Sequence, residues 1–286
     1  MIYTGVIDMI PISTEKVRAL QLDMVSYIDG ICRDAGIDYS LAAGSLLGSI
    51  KYQGYIPWDD DIDIMLTRPN YEKLMKALMT DLPDVYQLSY YKACETYLPF
   101  AKLYDARTTY KSRLDHLNPV RGVFIDIFPI DSLPNDPAIR KHFKSSIQYA
   151  VTNLITSCDH GLAYASSEHW YYALAKLILW APSHRRNRGN WQELAEEADL
   201  TMQAHNTLPD SDYCNYVYNP RGKSGNFPKS LFERYEDCPF EGLTLRRLTD
   251  YDAYLTELYG DYKRTPKPHE QHNHSYYRYF WRKEEV

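Results

Sequence analysis

Trp58-Asp59-Asp60-Asp61-Ile62-Asp63-Ile64 decides how this chain is read. From Asp61 onward acidic and aliphatic residues alternate, and a period of two marks a half-buried strand. Positions i and i+2 share a strand face, so Asp61 and Asp63 point together while Ile62 and Ile64 turn to a core. Their backbone anchors then lie about 6–7 Å apart. Two ionised carboxylates that close repel unless a cation sits between them. A hard dication, Mg²⁺ or Mn²⁺, satisfies the pair and keeps positions open for phosphate oxygens. Asp59 and Asp60 add charge at the mouth of the strand. A solvated acidic turn is the plain alternative, but the two isoleucines set the opposite face against a core. An EF-hand loop fails on spacing. Counted from Asp59, Ile64 stands at the glycine position and Asn70 at the final glutamate position; counted from Asp61, Met65 falls on the third carboxylate position.

Working outward, Ala43-Gly44-Ser45 follows a short apolar run, Tyr39–Ala43, that reads as a buried strand. Leu46, Leu47 and Ile50 then suggest a short helix ending before Gly54. Small residues at a helix start let backbone N–H groups approach a phosphate, which makes Gly44 and Ser45 candidates for nucleotide binding. Upstream again, Ser13 and Thr14 can cap a helix with the stripe Val17, Leu20, Met24, Ile28 and Ile31, stopped near Gly36. Downstream, Tyr71–Met79 is helix-like, and strands are expected at 85–90, 98–104 and Gly122–Phe128. Asp126 stands alone among apolar residues in the last of these. Burying it unpaired is costly, so it should be hydrogen-bonded, protonated or on a metal. Alternation sends Phe124, Asp126 and Phe128 to one face of that strand. If it lies beside Asp61–Leu66, Asp126 joins Asp61 and Asp63 as a third metal ligand.

After Pro129 and Pro134 the texture changes to helices at 140–158, 169–180 and 191–205. A weaker strand-and-turn region follows from Tyr213, and a further helix near 248–259 stops at Gly260. The expected architecture is α/β (α+β), with an α/β part over 1–135 and a mainly helical C-terminal half over 136–286. Composition is that of a globular protein: 286 residues, 44% hydrophobic, 24% charged, net charge −6. That balance lacks the global basic field that holds nucleic acid. Five scattered cysteines form no C-x-x-C pair, which argues against a disulfide framework or structural zinc. Residues 1–8 lack a signal-peptide pattern and no apolar run is long enough to span a bilayer, so a cytoplasmic location is expected. The 27 tyrosines suit partly wet surfaces and name no ligand by number alone.

Ala43-Gly44-Ser45-Leu46-Leu47-Gly48-Ser49-Ile50, together with Gly54–Ile64, resembles the signature of the LicD family of phosphocholine transferases, which includes the fukutin-related proteins. Gly122–Asp131 is similar to its second motif, and Tyr254–Tyr262 followed by Pro266, Pro268 and His272 is similar to its C-terminal block. Two departures are mild. Lys51 stands where arginine is more usual, keeping charge but losing bidentate geometry, and Lys267 separates two prolines that are usually adjacent. The resemblance implies a nucleotidyltransferase-like mixed sheet with flanking helices, the C-terminal half completing the cleft. It also implies transfer of phosphocholine from CDP-choline to a hydroxyl on a glycan or lipid-linked glycan precursor, releasing CMP. Asp61, Asp63 and Asp126 would then hold one or two metals on the pyrophosphate, and Asp126 or Asp60 would accept the acceptor's proton. Lys51, Lys102, Arg107 and Arg121 are the nearest cations along the chain for phosphate.

Other donors (phosphoethanolamine, phosphoribitol, sugar phosphates) are alternatives within that chemistry. An Asp-x-Asp glycosyltransferase is the competing enzyme, but it gives no reason for Gly44-Ser45 or Asp126; a non-catalytic scaffold gives none for three carboxylates. His269, His272 and His274 have metal-compatible spacing but no flanking acidic or cysteine ligand. The apolar stretch His169–Trp180 followed by His184-Arg-Arg-Asn-Arg188 is either a core helix with a basic loop or a peripheral contact with the inner face of the cell membrane.

Overall fold

The computed structural model describes residues 9–112, 115–167, 169–215, 225–267, 271 and 276–282. Strand β1 (Ile10–Pro11) leads to Ser13, whose hydroxyl accepts the Lys16 N–H at 3.3 Å and caps helix α1 (Thr14–Asp34). Gly36, at φ 60°, takes the left-handed conformation that ends it. The buried stripe of α1 packs on a sheet built from β2 (Ser40–Leu41), β3 (Asp63–Thr67), β4 (Tyr86–Ser89), β5 (Ala101–Asp105) and, beyond β6 (Thr108–Ser112), β7 (Phe124–Leu133). The sheet order is β2-β3-β7-β5-β4, with β3 and β7 parallel and the other pairs antiparallel. Helix α2 (Ala43–Lys51) joins β2 to the acidic stretch, and α3 (Arg68–Thr80) leaves directly from β3.

The expected strand at Gly122–Phe128 continues through Pro129 to Leu133. Proline is tolerated there because it falls after Ile127, the last residue paired to β5, and before Asp131, the first paired to β8 (Tyr213–Asn215). Among the described residues, the helices expected after Pro134 are present, as are the strand region from Tyr213 and the further helix before Gly260. Helices α4 (Pro137–Thr156), α5 (Trp170–Leu179), α6 (Ala181–Asn187) and α7 (Trp191–Gln203) follow β7, and α4 and α7 share a core of Phe143, Ile147, Val151, Ala195, Ala198 and Met202. From Tyr213 the chain returns as strands: β8, β9 (Phe227–Pro228), the β10–β11 hairpin (Tyr235–Phe240, Leu243–Leu248), then α8 (Tyr251–Tyr259) and β12 (Tyr277–Trp281). Phe227, Phe240, Leu245 and Tyr254 enter the same core as Ile64 and Ile127, so the last quarter of the chain completes the first half. Short runs with distant partners carry weak local signals: β12 pairs with β6 and β1, far away in sequence. No described helix is long and apolar enough to cross a membrane.

Candidate active site

The parallel register of β3 and β7 sets Asp63 opposite Asp126, and the antiparallel register of β7 and β5 sets Asp126 opposite Lys102. Three charged side chains thus stand in a row across neighbouring strands spaced about 4.8 Å apart. Lys102 Nζ lies 2.7 Å from Asp126 Oδ1 and 3.6 Å from the centre of the Phe124 ring. The register begins just before β3, where the Asp126 N–H donates to the Ile62 carbonyl at 3.0 Å. Ile62 and Ile64 are fully buried, whereas Asp61 and Asp63 are partly open, in the alternation their sequence carries.

Residues 57–60 approach this row under the control of α1. Arg18 donates to the carbonyls of Asp59 at 2.6 Å and Pro57 at 3.5 Å, with its guanidinium 4.5 Å from the Tyr55 ring centre. Gln21 donates to the carbonyls of Asp60 at 3.0 Å and Phe124 at 3.3 Å, and its own oxygen accepts the Tyr55 hydroxyl at 2.9 Å. One amide therefore fastens both acidic segments together. Carboxylate oxygens of Asp59, Asp60 and Asp61 converge within 4.8 Å of one another. Burial first, then Asp61, Asp126 and Asp59, push the Asp63 carboxyl well above the ordinary range, while Lys102 pulls it down. Hard oxygen donors under mutual repulsion match the chemistry of Mg²⁺ or Mn²⁺.

Gly44 and Ser45 serve the acidic stretch itself. A Cβ on Gly44 would come within 2.5 Å of Asp59 Oδ2, so a carboxylate already stands at the start of α2. The buried Ser45 hydroxyl accepts the Asp63 N–H at 2.9 Å. Ala43, just before them, holds φ at 41°, a left-handed strain at the entry to α2.

Of the four candidate cations, Lys102 alone pairs with a carboxylate of the row. Lys51 donates to the carbonyls of Lys263 and Arg264 at 3.1 and 3.4 Å. Arg107 forks onto Asp105 at 3.0 and 2.5 Å. Arg121 lies over the Tyr110 ring with Nε 3.5 Å from the Asn118 carbonyl. His269, His272 and His274 lie outside the described residues, as does Pro268.

Beside the carboxylates, a cavity of about 600 Å³ opens between α1, the acidic stretch and β12; Arg18, Trp58, Asp59, Asp60, Tyr277 and Tyr279 line it. Tyr279 shares this cavity with Asp59 and Asp60, and burial and then Asp60 and Asp61 push its hydroxyl upward. Sequence reading missed Tyr279, whose strand has no local link to the site. It also missed Gln21, although a signal existed: Gln21 interrupts the apolar stripe four residues after Val17 and three before Met24.

Residues 36–151 match the family model described as LicD/FKTN/FKRP, nucleotidyltransferase domain. The chain is also 28% identical over 265 residues, covering 88% of it and 92% of the relative, to the lipopolysaccharide cholinephosphotransferase LicD of Haemophilus influenzae. The matched segment spans β2, the acidic stretch, β3, β5 and β7, which carry every carboxylate of the row. Over residues 36–151, which hold all of these carboxylates, the chain is therefore similar to the nucleotidyltransferase domain of the LicD/FKTN/FKRP family.

Proposed function

We propose that this chain is a transferase that moves phosphocholine from CDP-choline to a hydroxyl of a cell-surface glycan precursor, of lipopolysaccharide, teichoic acid or capsule type, releasing CMP. The observation that carries this reading is the Asp63–Asp126–Lys102 row with Asp61 at its approach: opposite charges at one level of a sheet, as a pyrophosphate and its counter-ion require. The name of the Haemophilus relative supports phosphocholine and a lipopolysaccharide acceptor. The neighbouring cavity supports choline, because the rings of Trp58, Tyr277 and Tyr279 and the carboxylates of Asp59 and Asp60 suit a quaternary ammonium. Each ring face contributes about 0.5–2 kcal/mol to such a cation.

In this reading the acceptor oxygen attacks the choline-bearing phosphorus, the bond from that phosphorus to the CMP oxygen breaks, and CMP leaves with the electron pair. The acceptor's proton passes to Asp60, since Lys102 already holds Asp126 as an ion pair. Asp61, Asp63 and Asp126 would hold Mg²⁺ or Mn²⁺, which when bound neutralises pyrophosphate charge and stabilises the leaving group. Lys102 supplies a fixed positive charge from the protein, buried and preorganised. Gln21, Ser45 and Arg18 keep the acidic segments in place. Incubating the purified protein with a glycan precursor and CDP-choline, CDP-ethanolamine or CDP-ribitol tests the reading through CMP release. Release should be fastest with CDP-choline and should stop on chelation or in Asp61→Asn. No release from any of these donors overturns it.

A further inference from the structure

Helix α5, Trp170–Leu179, has no buried residue, although its sequence is almost wholly apolar. Trp170 is 77% exposed, Ile178 66% and Leu179 73%, and Tyr171, Tyr172 and Leu174 are exposed beside them. Trp170, Leu174 and Ile178 recur every four residues and form one ridge on the helix surface. Lys176, the helix's one charged residue, is turned back to the protein: its ammonium donates to the Ser166 carbonyl at 2.9 Å and lies 5.2 Å from the Trp180 ring centre. The outward face of α5 therefore carries no charge.

The mount of this helix is rigid and polar. Asn187 at the end of α6 is buried and donates to Asn153 Oδ1 at 3.1 Å and Thr156 Oγ1 at 3.0 Å on α4. His184 stacks on Tyr164 at 4.2 Å, with Nδ1 2.9 Å from the Thr156 carbonyl. Around that anchor, Arg185, Arg186 and Arg188 are exposed. A net charge of −6 makes these arginines a local exception, placed directly after the apolar helix.

We infer that α5 and the arginines of residues 185–188 form a docking surface for an anionic lipid bilayer. A ten-residue helix is about 15 Å long, too short to span a bilayer but suited to lying in the headgroup boundary. Trp and Tyr rings belong at that depth, and guanidinium groups meet lipid phosphates there. The acidic remainder of the chain is repelled by the same surface, so the contact also sets orientation.

Flotation of the full chain with phosphatidylcholine vesicles, with and without about 30% phosphatidylglycerol, tests the inference without any need for turnover. Binding should require the anionic lipid, weaken with salt, and be lost in Ile178→Asp. Arg185→Glu with Arg186→Glu should weaken it about tenfold or more. These side chains are exposed, so melting temperatures should stay within about 2 °C of the parent. No flotation at low salt, or flotation indifferent to Ile178→Asp, overturns the inference. A concentration-dependent dimer abolished by Ile178→Asp, without vesicle binding, assigns the face to a second copy and overturns it equally.

Discussion

The Asp63 carboxyl is driven upward by burial, then by Asp61, Asp126 and Asp59, against the pull of Lys102. A carboxyl whose folded pKa exceeds its unfolded value binds more protons when folded. Its contribution to stability is therefore full below about pH 4 and is lost as pH rises through the folded value. Metal-free protein should accordingly be stabilised by Asp63→Asn at pH 7, read as a higher urea midpoint, with the gain shrinking toward pH 4. The same substitution should lower CMP release by about two to four orders of magnitude, since charge at the reacting phosphates is removed. Gly44 shows the opposite balance. Gly44→Ala drives a methyl against Asp59 Oδ2, so the acidic stretch must shift, and displacements of about 1 Å cost about 10²-fold in rate. Turnover should fall by that factor while the thermal midpoint moves by only a few degrees.

At the scale of elements, the β10–β11 hairpin braces the entry to the acidic stretch. Its two-residue turn, Glu241-Gly242, holds both φ angles positive at 48° and 80°, as a type I′ turn demands. The Glu241 N–H donates to the Gln53 carbonyl at 2.8 Å, and its carboxylate accepts the Tyr55 N–H at 3.1 Å. Gly54 lies against that carboxylate with no room for a Cβ. Glu241→Ala removes a charge-assisted hydrogen bond and should cost about 1–3 kcal/mol by denaturant titration. It should also raise the KM for donor, because Trp58 follows three residues after Tyr55. An unchanged KM would show that the brace stops short of the cavity.

Across the whole molecule, one buried ion network joins the sheet to the helical layer. Arg68, at the start of α3, grips Asp131 of β7 at 2.8 and 2.5 Å and Asp199 of α7 at 2.8 Å. Asn206 donates to Asp131 at 2.7 Å, and Tyr91 to Asp199 at 2.9 Å. Removing the cation strands two buried carboxylates, so Arg68→Met should destabilise by about 3–5 kcal/mol. The loss should be partly recovered when Asp131→Asn and Asp199→Asn accompany it, as a calorimetric melt can show. Shared packing makes a second demand. Phe227, Phe240, Leu245 and Tyr254 fill the core under β3 and β7, so a fragment ending at residue 135 lacks part of its own interior. It should give no cooperative thermal transition, whereas the full chain should.

The acidic-aliphatic alternation at 61–64 and the apolar run with Asp126 at its centre were legible in sequence because side-chain direction in a strand depends only on position parity. For the same reason helix α1, its cap at Ser13 and its stop at Gly36 could be read locally. Other features depend on register between strands far apart in the chain. These include the alignment of Asp63, Asp126 and Lys102, the diversion of Lys51, Arg107 and Arg121 to other partners, and the arrival of β12 with Tyr279 beside the carboxylates. The same limit applies to α5: its composition fits a buried helix as well as an exposed one, and only the packing of its neighbours left it uncovered. Local sequence determined which faces are acidic and which are oily; long-range pairing determined which faces meet, because hydrogen-bond register and core volume belong to the assembled sheet.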